Sequence, residues 1–299
     1  MKQHQALLSE ICSIHNLTYK GEDMFIDSLN LSNRESIYEN ILTYVTNKSF
    51  FDVIENNKSI KAVIVPIELY DDIKHHMGSV GRIMSYIIVD NAEHTFYTLH
   101  NLLYQNTCFY DKFDQVSSIG ENCEIDKSVV IETGVEIGNN VKVGPNSVIR
   151  KGSIIDDDVT IGCCSVIGSE GFQAIKGFNQ KIKHVGKCHI CKGVNIGDNT
   201  TICNSLFEGE TIIGEYSNID NHCQIAHNCI VGKNCVITST CTMMGTTELG
   251  DNVWLAPNSV ILNKKIVGSD SFVGTFTFVN RNLKPGSAVF GIPAKKLLL

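Results

Sequence analysis

The densest polar cluster in the C-terminal two-thirds of the chain is Asp220-Asn221-His222-Cys223-Gln224-Ile225-Ala226-His227-Asn228. An amine attacks a thioester only when neutral, and it must lose a further proton as the tetrahedral intermediate forms. A histidine, with an ordinary pKa near 6.5, is suited to take that proton. His227 is therefore the candidate general base. Gly245 follows it by 18 residues, and a backbone N–H with no side chain in the way could donate to the developing oxyanion. The plainer alternative for His227 is a corner residue with no chemical role.

What would position these two residues is a repeat. Ile119, Ile125, Ile131, Ile137, Val143, Ile149, Ile155, Ile161 and Ile167 recur at intervals of six. The period returns at Ile190, Ile196 and Ile202. It then shifts once and runs from Ile213 through Ile219, Ile225, Val231, Ile237, Met243, Leu249, Leu255, Ile261, Val267 and Val273 to Val279. An α-helix or a simple strand alternation would put such residues on drifting or doubled faces, whereas a coil with three flat sides keeps all of them inside. Each would stack on its equivalent 18 residues on, about 4.8 Å along the axis, giving about eight turns. The fold expected is β: a left-handed parallel β-helix, with His227 outside the core and Gly245 directly above it. Such prisms are commonly trimers with sites between subunits, so a homotrimer is expected by fold analogy.

Glycine often follows the inward aliphatic residue, as in Ile137-Gly138 and Val231-Gly232, where a corner is expected to need backbone freedom. Four residues after each aliphatic comes a second inward position for a small side chain. Cys223, Cys229, Cys235 and Cys241 occupy it and read as small buried residues. Cys188-His189-Ile190-Cys191 looks like half of a zinc knuckle, but the second ligand pair is missing, so no metal is expected there.

Two parts lack the period. Residues 1–115 read as an α/β domain, with strands over 41–46, 61–66 and 85–89 and helical stretches near 49–57, 68–76 and 92–106. Residues 116–299 form the β-helix domain, interrupted by a loop insertion over about 169–187 that holds Phe172, Phe178 and four lysines. A loop that long in a regular solenoid is more often functional than accidental. A net charge of −7 leaves no basic footprint for nucleic acid. The run after Met1-Lys2-Gln3-His4-Gln5 carries Glu10, unlike a secretory signal, and no apolar stretch approaches the roughly 18 residues that span a membrane. A cytoplasmic protein with reduced thiols is expected.

The cluster Asp220–Asn228 nearly matches the motif D-N-Q-C-Q-I-A-H-N of the UDP-3-O-acylglucosamine N-acyltransferase family of lipid A biosynthesis, with His222 in place of one glutamine. Ile167-Gly168-Ser169-Glu170-Gly171-Phe172 is similar to the start of that family's loop insertion. Leu42-Thr43-Tyr44-Val45-Thr46-Asn47-Lys48-Ser49-Phe50 resembles the family's uridine-holding segment. The resemblance implies His227 as general base, Gly245 as oxyanion donor and Asn221 as a supporting polar contact. It further implies Tyr44 stacked on the base, Asn47 bonded to it and Phe50 near the phosphates.

Three departures bear on the substrates. Lys264 stands where the family has a second histidine, and a cation there would stabilise negative charge or grip a phosphate. Phe50 replaces a tyrosine. The ending Gly291-Ile292-Pro293-Ala294-Lys295-Lys296-Leu297-Leu298-Leu299 is similar to that of coenzyme-A-dependent sugar acetyltransferases, not to the family's carrier-docking helices. The expected reaction is thus acyl transfer from a thioester, acyl-coenzyme A ahead of acyl carrier protein, to a nucleotide-linked amino sugar in lipopolysaccharide or surface polysaccharide synthesis. No resident cofactor is expected. The lipid A step itself is the nearest alternative. A remote one is a zinc hydratase resembling the γ-class carbonic anhydrases, because His222 and His227 stand five apart. That family's third ligand has only His184 and His189 as counterparts, both out of step.

Overall fold

The computed structural model describes residues 5–34, 36–293 and 295–296. The start of the N-terminal run and parts of the ending Gly291–Leu299, namely Ala294 and Leu297–Leu299, lie outside the described residues. Two compact units are present, one made of residues up to Lys112 together with Phe172–Val185, the other of Phe113–Gly171 and everything from Gly186 on. The insertion, which the sequence places in the β-helix domain, therefore belongs largely to the first unit. Among the described residues no helix is long and apolar enough to cross a membrane.

The second unit is a parallel β-helix with three faces. Among the described residues the first face, which begins at Ser118–Ile119, has eight strands, the second, from Glu124–Ile125, has ten, and the third, from Val130–Ile131, has eight. Coil pairs with coil in parallel, Ile137 opposite Ile155 and Ile225 opposite Met243 being examples, with a register shift after Ile167 where Val166–Ser169 meets Thr201–Cys203 and an antiparallel last strand at Lys295–Lys296. From Ile137 onward the inward aliphatic residues of the repeat are all buried.

The second inward position does more than fill space. The Ser147 hydroxyl donates to the Gly162 carbonyl at 2.7 Å and that of Ser217 to the Gly232 carbonyl at 2.8 Å, in each case 15 residues ahead. The thiols of Cys223, Cys229, Cys235 and Cys241 make the same bond to Thr238, Met244, Gly250 and Ala256 at 3.1–3.3 Å. Burial pushes the Cys223 and Cys229 thiols up to about 12, so they remain protonated and able to donate.

The corner glycines owe their place to crowding rather than to backbone freedom. A Cβ on Gly138 would lie 2.5 Å from Asp157 Oδ1, and one on Gly232 would lie 2.5 Å from the Gly250 carbonyl carbon. The left-handed backbone falls two residues later, at Asn140 (φ 57°) and Asn234 (φ 55°), where asparagine tolerates it better than most side chains.

In the first unit a five-stranded sheet runs Tyr19–Lys20, Ser85–Val89, Ile60–Pro66, Ile41–Tyr44, Ser28–Leu29, parallel except at Tyr19–Lys20. Helices Phe51–Asn56, Tyr70–Ser79 and Ala92–Asn106 follow the three longer strands. The insertion is anchored on the last of these. His100 Nε2 donates to the Lys183 carbonyl at 2.8 Å, and its Nδ1 then accepts from the Tyr110 hydroxyl at 2.9 Å. Asn101 Nδ2 donates to the Lys181 carbonyl and Asn101 Oδ1 accepts from the Lys183 N–H, both at 3.1 Å.

Burial pushes the His100 pKa down to about 4, whereas an unfolded histidine titrates near 6.5. Between those values the unfolded chain binds more protons, so the contribution of neutral His100 is full above about pH 6.5 and is lost as pH falls towards 4. By about pH 5 the loss should be about 2 kcal/mol. Thermal melts of the wild type should show it, and His100→Gln should flatten that part of the pH dependence.

Candidate active site

One corner of the prism departs from the repeat in successive coils. It joins the third face to the first. The insertion leaves here, between Val166–Ser169 and Lys187–Ile190. One coil on, the same corner is lengthened between Thr201–Cys203 and Glu210–Ile213, which is the source of the single shift in the repeat. In the lengthened segment Ser205, Leu206 and Phe207 are buried. His227 stands at this corner in the next coil, between Gln224–Ile225 and Ile230–Val231.

His227 is half-buried, and its ring lies over Gly245. A Cβ added to Gly245 would meet His227 Cε1 at 2.7 Å and Nε2 at 2.8 Å. Only a glycine leaves room for the imidazole. The Gly245 N–H has no acceptor among the described residues. At many other corners the equivalent N–H is taken by a side chain one coil on, as Lys233 N–H is by Asp251 Oδ1 at 2.8 Å and Cys163 N–H by Asp198 Oδ1 at 2.6 Å. A basic nitrogen and a free backbone donor thus share one spot.

The neighbouring Asn228 sets the tautomer. Its Oδ1 accepts from the Leu206 N–H at 3.1 Å, while its Nδ2 bonds Ser205 Oγ. A backbone N–H can only donate, so the atom facing Leu206 must be the amide oxygen. That oxygen also lies 3.0 Å from His227 Nδ1, which must therefore carry the proton. Nε2 keeps the lone pair and faces Gly245. Asn228 itself is held by its N–H to Thr211 Oγ1 at 2.8 Å. Asn228 closes the polar cluster read in the sequence but was given no role there, since asparagine is common at the left-handed corner positions, and Ser205 does not stand out. The lengthened corner could have been suspected from the shift in the repeat.

The other expected residues fall elsewhere. Lys264 is exposed one coil beyond Gly245, and its N–H donates to the Gly245 carbonyl at 3.1 Å. Asn221 belongs to the preceding corner, across the strand Gln224–Ile225 from His227, where its Oδ1 accepts from the Asp198 N–H at 2.6 Å. It is a rung of the corner ladder. His222 shares that preceding corner, so within one chain it is not brought to His227. Neither histidine belongs to a metal-type cluster among the described residues.

In the first unit, Tyr44, Asn47 and Phe50 gather at the carboxyl end of strand Ile41–Tyr44 and in the turn after it, where open parallel sheets bind ligands. Each also serves local structure. The Tyr44 hydroxyl donates to Glu93 Oε1 at 3.0 Å and its ring stands 4.9 Å from that of Phe96. Asn47 Oδ1 caps the turn by accepting from the Ser49 N–H at 3.0 Å. Phe50 packs against the sheet core.

The family model described as bacterial transferase hexapeptide (six repeats) matches residues 117–151, 134–169 and 210–245. These matched segments of the prism carry transferase hexapeptide repeats. The last matched segment of these repeats contains both His227 and Gly245. A UDP-3-O-acylglucosamine N-acyltransferase of Helicobacter pylori is 48% identical over 73 residues, which is 23% of this chain and 21% of that relative. A protein of the same name from Fusobacterium nucleatum is 46% identical over 63 residues, 20% of this chain and 19% of its own. The match thus spans about a fifth of each curated relative. Among solved structures, the UDP-N-acetylglucosamine acyltransferase from Campylobacter jejuni superposes with a TM-score of 0.56 at 22% identity, over 62% of this chain and 73% of that one. That likeness shows the fold of the hexapeptide-repeat unit, a left-handed parallel β-helix.

In histidine-selective nitrogen NMR at mildly alkaline pH, His227 should show a protonated Nδ1 and an unprotonated Nε2. Asn228→Ala should erase that preference. An Nε2–H majority in the wild type would contradict the clamp.

Proposed function

We propose that this protein is an N-acyltransferase that moves an acyl group from a thioester to the amino group of a nucleotide-linked amino sugar. The observation that carries the reading is the His227 ring resting on Gly245 with its basic Nε2 exposed to that side. The names of the curated relatives support the reaction class and the UDP-linked amino sugar.

The sequence of events follows from the chemistry of the site. His227 Nε2 takes the proton that the attacking amine sheds, and the new C–N bond forms at the thioester carbonyl. The carbonyl oxygen becomes an oxyanion, and the Gly245 N–H is placed to stabilise it. Collapse of the intermediate breaks the C–S bond, and the imidazolium returns the proton to the departing thiolate. Nδ1–H stays bonded to Asn228 throughout, so the ring need not turn between the two proton transfers. Lys264 would meet negative charge on a substrate.

The donor favoured is acyl-coenzyme A ahead of acyl carrier protein, on the resemblance of the ending Gly291–Leu299 to coenzyme-A-dependent enzymes. Tyr44, Asn47 and Phe50 are the proposed nucleotide-holding residues. The protein is taken to work as a cytoplasmic homotrimer, and a sedimentation mass of one chain would overturn that state. The specific lipid A reaction is the second reading, favoured by the name of the Helicobacter pylori relative.

Thiol release should depend on an amino sugar when acyl-coenzyme A and acyl-carrier-protein donors are tested against UDP- and dTDP-linked sugars. His227→Ala should lower turnover by about 10² to 10⁴-fold with the melting temperature kept, since it removes a base and no core contact. Gly245→Ala should also lower it by displacing the ring. An unchanged rate in His227→Ala would sink the assignment.

A further inference from the structure

A second polar cluster lies on the prism, and acyl transfer leaves it unused. Strand Lys187–Ile190 re-enters the first face after the insertion. Cys188 and Ile190 are fully buried, so His189 and Cys191 project outward on either side of Ile190. Asp156 stands one coil below Cys191, because Ile155 pairs with Ile190 and the Asp156 N–H donates to the Ile190 carbonyl at 2.9 Å. One donor atom from each of Asp156, His189 and Cys191 lies within 4.8 Å of the other two, and all three residues are half-buried.

The histidine ring is already held between two carboxylates. Glu210 Oε2 lies 3.3 Å from His189 Nδ1, and Asp156 Oδ1 lies 3.1 Å from Nε2. A carboxylate on the far nitrogen is the usual outer partner of a metal-bound imidazole, because it sets the ring plane and leaves the other nitrogen for the ion. Nitrogen, oxygen and sulfur donors together suit zinc, whereas magnesium and calcium take oxygen throughout.

We propose that Asp156, His189 and Cys191 form a three-ligand zinc site, with Glu210 as the outer partner of His189. The fourth position is open. Asp156 also lines a groove of about 500 Å³ with Ser118, Glu136, Asp157, Lys192 and Glu215, so water can reach the ion. The spacing Cys188…Cys191 is incidental, since Cys188 points into the core. The partner that sequence spacing could not supply is Asp156, 33 residues before His189 and on the other side of the insertion. An ion here ties the strand that re-enters after the insertion to the coil that precedes it.

The test is titration of the metal-stripped full chain with Co²⁺, followed by competition with Zn²⁺. One equivalent of cobalt should bind with a thiolate-to-cobalt charge-transfer band. The band should vanish in Cys191→Ser, persist in Cys203→Ser, and be displaced by zinc. Asp156→Asn, a milder change, should weaken zinc binding, and Glu210→Gln should weaken it by about 10- to 100-fold while keeping the band. Absence of a charge-transfer band in the folded wild type, or a band that survives in Cys191→Ser, would overturn the proposal.

Discussion

The distance between successive coils, about 4.8 Å as between strands of any sheet, governs almost every residue choice in the prism. Parallel hydrogen bonding fixes it, and side chains must fit what it leaves. Inside, it stacks aliphatic residue on aliphatic residue without slip. At the corners it excludes a Cβ wherever one coil's turn lies on the next, hence Gly138 and Gly232. The same crowding makes the candidate active site. His227 lies over the coil above, and Gly245 is what lets it lie there.

Regularity and the proposed chemistry are separated around the prism. Two corners repeat with little change, their turns closed by ladders such as Lys233 to Asp251 and Asp198 to Asn221. The third carries the insertion, the lengthened turn and His227. The cost of breaking the ladder there is offset by buried contacts of Leu206 and Phe207 and by the bonds that Asn228 makes to Ser205 and Leu206. Those bonds hold a histidine in the tautomer a base needs, so the departure from the repeat and the proposed chemistry coincide at one corner.

Much of this was legible in the sequence, for physical reasons. A three-sided coil imposes the same demand every six residues, so a run of isoleucines spaced that way announces it, and the position of Gly245 above His227 follows by counting. Helices Tyr70–Ser79 and Ala92–Asn106 were legible from their length, whereas the six-residue helix Leu8–Ser13 went unread and Tyr19–Lys20, Phe25–Ile26 and Ser28–Leu29 are two residues each, too short to show an alternation. Asn228 stands in the polar cluster, but its part in setting the tautomer was hidden because asparagine at a left-handed corner is ordinary, as at Asn140 and Asn234. Asn221, in the same cluster, also serves as a ladder rung, its Oδ1 accepting from the Asp198 N–H. The Asp156–His189–Cys191 cluster joins residues that pairing across the insertion brings together, and no local spacing encodes that.

The most direct test of the central claim is to label the glycine amides and histidine rings and add an unreactive thioether analogue of the acyl donor. The account predicts that the Gly245 amide and His227 ring resonances shift together, and that Gly245→Ala abolishes the shift at His227. Binding that leaves both unmoved while perturbing resonances at another corner or face would contradict it.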